Sequence, residues 1–421
     1  MTERLLQYIW QFHYFTQASL STIAGEQLQV IHPGTYNTQQ GPDFKEARIR
    51  VGTTTWAGNI ELHLNSSDWQ KHKHSADRNY QNVILHVVWQ HDIKFELPFP
   101  TLELHDRISS LLIDRYDELM NQTSFIPCEK NIRQVDELSW TSWKERLLVE
   151  RLQFRSQLAF RWLEENNYHW EETFWWMLAR NFGIPQNADI FEKIAQSIPV
   201  NILSKHKNQL QQIEALLFGQ AGLLENEFSE SYPALLKREY HFYQSKYDLN
   251  PLQYRLFFLR MRPANFPTLR LAQLAMLVHE SSHLFAKINE AASAKEIKEL
   301  LNVTANDYWH YHYIFDELSS FRKKTLGEQM VNNIIINTVA PMLFTYGQYH
   351  MEDAFKEKAI SLLEQLPVEK NKICDGFARL GIKNQTAFDS QALIQLKNEY
   401  CDKKRCLDCM IGAKLLKQGG Y

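Results

Sequence analysis

The stretch Asn82 to Trp89 (Asn-Val-Ile-Leu-His-Val-Val-Trp) constrains the fold more than any other in this chain. It is nearly all apolar and rich in β-branched side chains, the signature of a strand buried on both faces. Such a strand needs a covering layer on each side, so the segments around it must supply helices as well as strands. Residues 3–15 place Leu5, Ile9 and Phe12 on one helical face, with Thr2 as the N-cap. Gln27 to Ile31 alternates as a strand and is ended by His32-Pro33-Gly34. Residues 46–51 and Trp56 to Leu64 predict two further strands joined at Thr53 to Thr55. Residues 66–80 read as a helix or helical loop, Phe95 to Leu104 as a strand, and Asp106 as the cap of a helix reaching about Met120.

From about Glu137 the period changes. Residues 140–180, 206–223, 267–290, 328–347 and 352–365 show helical spacing, with breaks at Pro263 to Pro267 and at Gly327. The expected class is therefore α+β: an αβββαβ module in residues 1–125, then a mainly helical region in 126–421 that ends in a cysteine cluster. A length of 421 residues accommodates this division. No run approaches the ~20 apolar residues of a membrane span, and the N-terminus lacks the pattern of a secretory signal, so a cytoplasmic protein with no membrane partner is expected.

Three polar residues stand out in the module. Pro42-Asp43 precedes one strand, and Glu61-Leu62-His63 lies on the next, with Glu61 and His63 on the same face by alternation. A short turn between antiparallel strands brings Asp43 near Glu61. Two carboxylates and an imidazole suit a divalent cation, with oxygen favouring Mg²⁺ or Mn²⁺ and nitrogen shifting preference toward Mn²⁺ or Zn²⁺. The structural alternative is that Asp43 caps a turn and Glu61 is a strand-edge carboxylate. His86, inside an apolar run, reads as a core histidine, or as a hydrogen-bond partner for a site carboxylate. His72 and His74, two residues apart, do not share a helical face.

At the other end, Cys401-x4-Cys406-x2-Cys409 puts three thiols within nine residues. With Cys128 or Cys374 as fourth ligand they predict a Zn²⁺ or iron–sulfur site, against the alternative of free, buried thiols. Five cysteines, an odd number, do not read as a disulfide framework. Lys144, Arg151 and Arg155 fall on one helical face and read as a solvated stripe. The net charge of −3 means that a polyanion partner would need a local basic groove, and residues 1–105 hold eight Lys and Arg against ten Asp and Glu.

The Pro-Asp, 17-residue spacer, Glu-x-His pattern and the order of elements resemble the restriction-endonuclease-like fold, whose motif is Pro-Asp, a spacer, Glu or Asp, any residue, and Lys. The resemblance implies a metal-dependent phosphodiesterase acting on DNA or RNA, with Asp43 and Glu61 as metal ligands and His63 in the place of Lys. It departs from the pattern at His63, which carries no fixed positive charge, and offers only Glu26 for the acid those enzymes place on their first helix. A nucleic-acid- or protein-binding module that has lost the chemistry, and a metal-dependent hydrolase of a small molecule, are the rival expectations. More widely, His32-Pro33-Gly34, Gly41-Pro42-Asp43-Phe44, Trp56 to His63, Ser67-Asp68-Trp69, Leu85 to Val88 and Arg262 to Pro267 resemble a bacterial family, domain of unknown function 2851, found largely in Bacteroidetes. That likeness is expected to run on through the terminal cysteines, and it implies no activity.

Overall fold

A computed structural model describes residues 1–72, 77–94, 97–281 and 283–417. The protein is mixed α and β, with a sheet near the N-terminus followed by a mostly helical region. It divides into two compact units, Met1–Trp143 with Leu396–Tyr421, and Lys144–Gln395. The expected boundary at 125/126 thus lies earlier than the observed one, and the terminal segment returns to the first unit.

The first unit opens with α1, Glu3–Gln11, whose Leu5 N–H donates to Thr2 Oγ1 at 3.2 Å, the expected cap. Leu5, Leu6, Ile9 and Trp10 are fully buried, each apolar side chain contributing about 2 kcal/mol by removal from water. The strands follow: β1 Leu28–His32, β2 Thr35–Tyr36, β3 Phe44–Val51 and β4 Thr54–Asn65. Next come α2 Asp68–Lys71, β5 Val83–Gln90, β6 Thr101–Glu103 and α3 Ser110–Asn121. The sheet order is β1-β3-β4-β5-β6, with β2 also on β3. The β1–β3–β4 pairings are antiparallel, whereas β5 runs parallel to β4 and β6 parallel to β5. Parallel pairing needs a crossover, and α2 lies in the connection between β4 and β5. As its composition demands, β5 is buried from Val83 through Val88.

Two details aim the site. The β3–β4 register slips between Phe44 and Ala47, where Glu46 takes a φ of 60°, a bulge that re-aims the start of β3. Opposite the bulge, Gly58 is irreplaceable by a larger residue, because a Cβ there would stand 2.5 Å from Ile84 Cγ2 and 2.6 Å from the Asn82 carbonyl oxygen. That close approach seats β4 against the start of β5.

Some expectations differ from what is observed. The strand expected over 95–104 is only Thr101–Glu103, with Phe95 outside the described residues. Asp106 lies in a 3₁₀ turn, His105–Arg107, and α3 begins later, after Ser109. In the helical unit the expected segments are present, but so is Ser231–Tyr247, which the apolar period does not reveal because Tyr240 and Tyr243 supply much of its buried face. Lys144 is not on a solvated stripe: it is buried, and its ammonium donates to Asp389 Oδ1 at 2.7 Å and to the Lys383 carbonyl.

Candidate functional site

The ends of β3 and β4 interlock through their carboxylates. The Asp43 backbone N–H donates to Glu61 Oε2 at 3.0 Å, and the Leu62 N–H donates to Asp43 Oδ2 at 3.0 Å. Each carboxylate is therefore fixed by the other strand's main chain, as a pre-organised ligand should be. The remaining Asp43 oxygen, Oδ1, accepts from Gln7 Nε2 of α1 at 2.8 Å, while the Tyr36 hydroxyl donates to Gln7 Oε1 at 3.3 Å. Glu3, one helical turn before Gln7, is close enough to act electrostatically on both carboxylates.

The electrostatics are those of carboxylates crowded together in a largely buried setting. Burial, and then Asp43, push the Glu61 carboxyl up, while Asp43 is pushed up by burial against the lowering effect of the Leu62 N–H. Glu3 is also raised by burial, with His72 partly offsetting it. Like charges crowded at low dielectric hold protons unless a cation neutralises them. Among the described residues, no three His, Cys, Asp or Glu side chains already form a ligand set for an ion. The donor chemistry still fits Mg²⁺ or Mn²⁺, because Mg²⁺ is commonly held by one or two carboxylates, with water and substrate phosphate completing its shell.

His63 sits beside this pair, essentially fully buried, with Nε2 3.6 Å from Glu61 Oε1. Its Nδ1 stands 2.8 Å from His86 Nε2, and its Nε2 stands 3.1 Å from Nδ1 of the exposed His72. Each such contact takes one N–H and one lone pair, so a neutral chain His86–His63–His72 polarises in one direction or the other. Trp69 packs edge-on to both His63 and His86. His86 is thus a core residue whose partner is the imidazole of His63. His72 reaches the site although it shares no helical face with His74, and His74 lies outside the described residues.

Asp43, Glu61 and His63 are therefore brought together, as their spacing implies. Glu26 is not on α1 and is exposed; its backbone N–H bonds Thr22. The acid on the first helix is Glu3, and the i, i+4 spacing of Glu3 and Gln7 on one face was the available signal.

The cysteines assemble in part. Cys128, Cys401, Cys406 and Cys409 lie in the same unit, and the last three are each raised first by burial. Cys128 is likewise pushed up by burial and then by the charges of Cys409 and Cys406. Cys409 has the richest setting, accepting from the Gly412 and Ile411 N–H groups and the Trp143 indole. They are free cysteines and, among the described residues, do not form a ligand set for an ion. Cys374 belongs to the helical unit, on Lys372–Arg379.

Residues 3–372 match the family described as protein of unknown function (DUF2851). The chain belongs to that family. The match takes in every residue of the acidic site of this DUF2851 member and ends before Cys374 and the terminal cysteines. Neither a curated protein nor a solved structure matches it. No helix among the described residues is long and apolar enough to cross a membrane.

Proposed function

We propose that the acidic site is the centre of a divalent-cation-dependent phosphodiesterase that acts on DNA or RNA. The observation that carries this reading is the interlocked pair, Asp43 and Glu61, held between adjacent strands with Glu3 of the first helix acting on both. The surrounding frame supports it: a helix, an antiparallel three-strand meander, a short crossover and a parallel fourth strand. That order is the one the restriction-endonuclease-like resemblance implies.

In this reading Asp43 and Glu61 would hold Mg²⁺ or Mn²⁺, which would supply activation of a water and charge stabilisation at the phosphate. Gln7 keeps Asp43 in its ligating rotamer through the 2.8 Å bond to Oδ1. The imidazole chain takes up the proton lost by the attacking water at its exposed end, His72, and returns it to solvent there, while His63 shares the added charge by accepting the His72 Nδ1 proton at Nε2 and passing its own Nδ1 proton toward His86. A bond forms between water oxygen and phosphorus, the bond to the leaving sugar oxygen breaks, and that oxygen takes a proton from solvent. A neutral imidazole relay thus takes over the proton-handling side of the missing Lys, while the positive charge that Lys brings must come from the cation.

The test is cleavage of labelled single- and double-stranded DNA and RNA in Mn²⁺. The wild-type protein should cut at least one of them, and Asp43→Asn and Glu61→Gln should each lose at least ~100-fold in rate, a loss of roughly 2.7 kcal/mol in transition-state stabilisation. Equal cutting by wild type and variants would remove the site from the chemistry, and no cutting with any divalent cation would remove the proposed activity.

A further inference from the structure

The helical unit contains a cleft of about 720 Å³ lined by four arginines and by no carboxylate. One wall is α4, Glu137–Glu165, on which Arg151, Phe154, Arg155, Leu158 and Arg161 recur at helical spacing. Arg151 to Arg161 spans ten residues, roughly 15 Å of helix, so the guanidinium row is longer than a single phosphate group. Between the cations, Phe154 presents a largely bare ring, 68% exposed.

We propose that this cleft binds a segment of single-stranded nucleic acid, with the arginine row along the phosphates and Phe154 stacked on a base.

Three features of the walls support a built site. Arg155 is half-buried, and its Nη1 donates to the Asn337 carbonyl across a long contact of 3.5 Å. Burial and the adjacent Arg151 pull it down to about 10, so it still carries its charge at neutral pH. Opposite it the helix is interrupted by a π-helical turn, Ile335–Val339, a distortion that recurs at functional sites. Finally, Ile184 lines the cleft with a φ of 47°, an unfavourable backbone for a β-branched residue that the surrounding structure must hold in place.

Not all four arginines are equally available. Arg180 is committed to Asp189 at 2.6 Å and to Glu192 at 2.5 Å, and Arg151 donates to Gln391. Glu369 also acts on Arg155 from nearby. Arg155 and the exposed Arg161 therefore carry most of the attraction. Asn181 also lines the cleft, and its amide nitrogen donates to Thr338 Oγ1 at 3.0 Å, so that its carbonyl oxygen is the atom able to accept from a base edge or sugar hydroxyl. Base-on-aromatic stacking beside a basic track is how sequence-tolerant single-strand binders work, and paired bases offer no free face to such a ring. A lone acidic peptide would use the cations and leave Phe154 idle.

The test is fluorescence anisotropy with a labelled twelve-residue oligothymidylate in EDTA, which silences any cation-dependent chemistry at the acidic site. Wild type should bind, more weakly as salt rises. Phe154→Ala and Arg161→Glu should each weaken binding about tenfold while unfolding at the wild-type temperature, since both side chains are exposed. Undiminished binding in both variants, or none by wild type, would overturn the proposal. So would equal competition by a blunt duplex, by thymidine monophosphate or by polyglutamate, which would assign the cleft to a different ligand.

Discussion

The acidic site of the first unit and the arginine cleft of the second are built by opposite means. In the first, like charges are forced together at low dielectric, and main-chain N–H groups of neighbouring strands pin each carboxylate. In the second, the charges are strung along a helix facing open space, with one half-buried guanidinium on a long carbonyl contact. A sheet can fix two ligands to within a few tenths of an ångström because register leaves them no freedom. A helix surface offers a row, which suits an extended polymer better than an ion. The difference is between a setting suited to holding an ion and one suited to following a chain, which is how the two proposals divide the regions.

The sharpest way to strain this contrast is to interrupt the imidazole chain, which only the sheet site possesses. His63→Gln keeps hydrogen-bonding capacity but cannot carry a proton, and should slow Mn²⁺-dependent cleavage about 100-fold. His72→Ala should cost about tenfold, because water can replace an exposed imidazole, and should alter the pH–rate profile. A profile unchanged in shape in both variants would reduce the chain to packing. The smaller effect belongs to the cleft. Arg155→Met should leave unfolding stability within about 1 kcal/mol of wild type, or slightly higher, while weakening oligothymidylate binding. A large loss of stability, measured by urea unfolding, would make Arg155 a structural residue and break the contrast.

How much of this was legible depended on the distance over which each feature is assembled. Asp43, Glu61 and His63 sit on adjacent strands joined by a short turn, so alternation and register suffice to bring them together. The burial of β5 was likewise written in its composition. Glu3 and Gln7 were missed because the face that α1 turns to the sheet is decided by tertiary packing, although their i, i+4 spacing marks a shared polar face. The contact of His72 with His63 depends on how the chain turns after β4, which no local period encodes. The cleft joins residues 151–188 to residues 333–337, and nothing in the period of α4 distinguishes a cleft wall from a solvated stripe. Lys144 shows the same limit: it fits the stripe by spacing, yet Asp389, far along the chain, draws it inside. Cysteine spacing did announce a shared neighbourhood, because three of the four thiols are local in sequence.

The central claim is that the Asp43–Glu61 pair is a cation site, and thermal unfolding across pH with and without Mn²⁺ tests it directly. Both carboxyls are raised in the folded protein, so that state holds more protons than the unfolded chain, and metal-free stability must fall as pH rises from the ordinary carboxylate range through neutrality. Glu3 adds to the crowding, while Arg4 moderates it. Mn²⁺ at 100 times its dissociation constant should add about 2.7 kcal/mol, most effectively at higher pH where the carboxyls have lost their protons. Glu61→Gln should flatten the metal-free pH slope and abolish most of the Mn²⁺ response. Stability that ignores Mn²⁺ in the wild type, or that rises equally in the variant, would contradict the cation site.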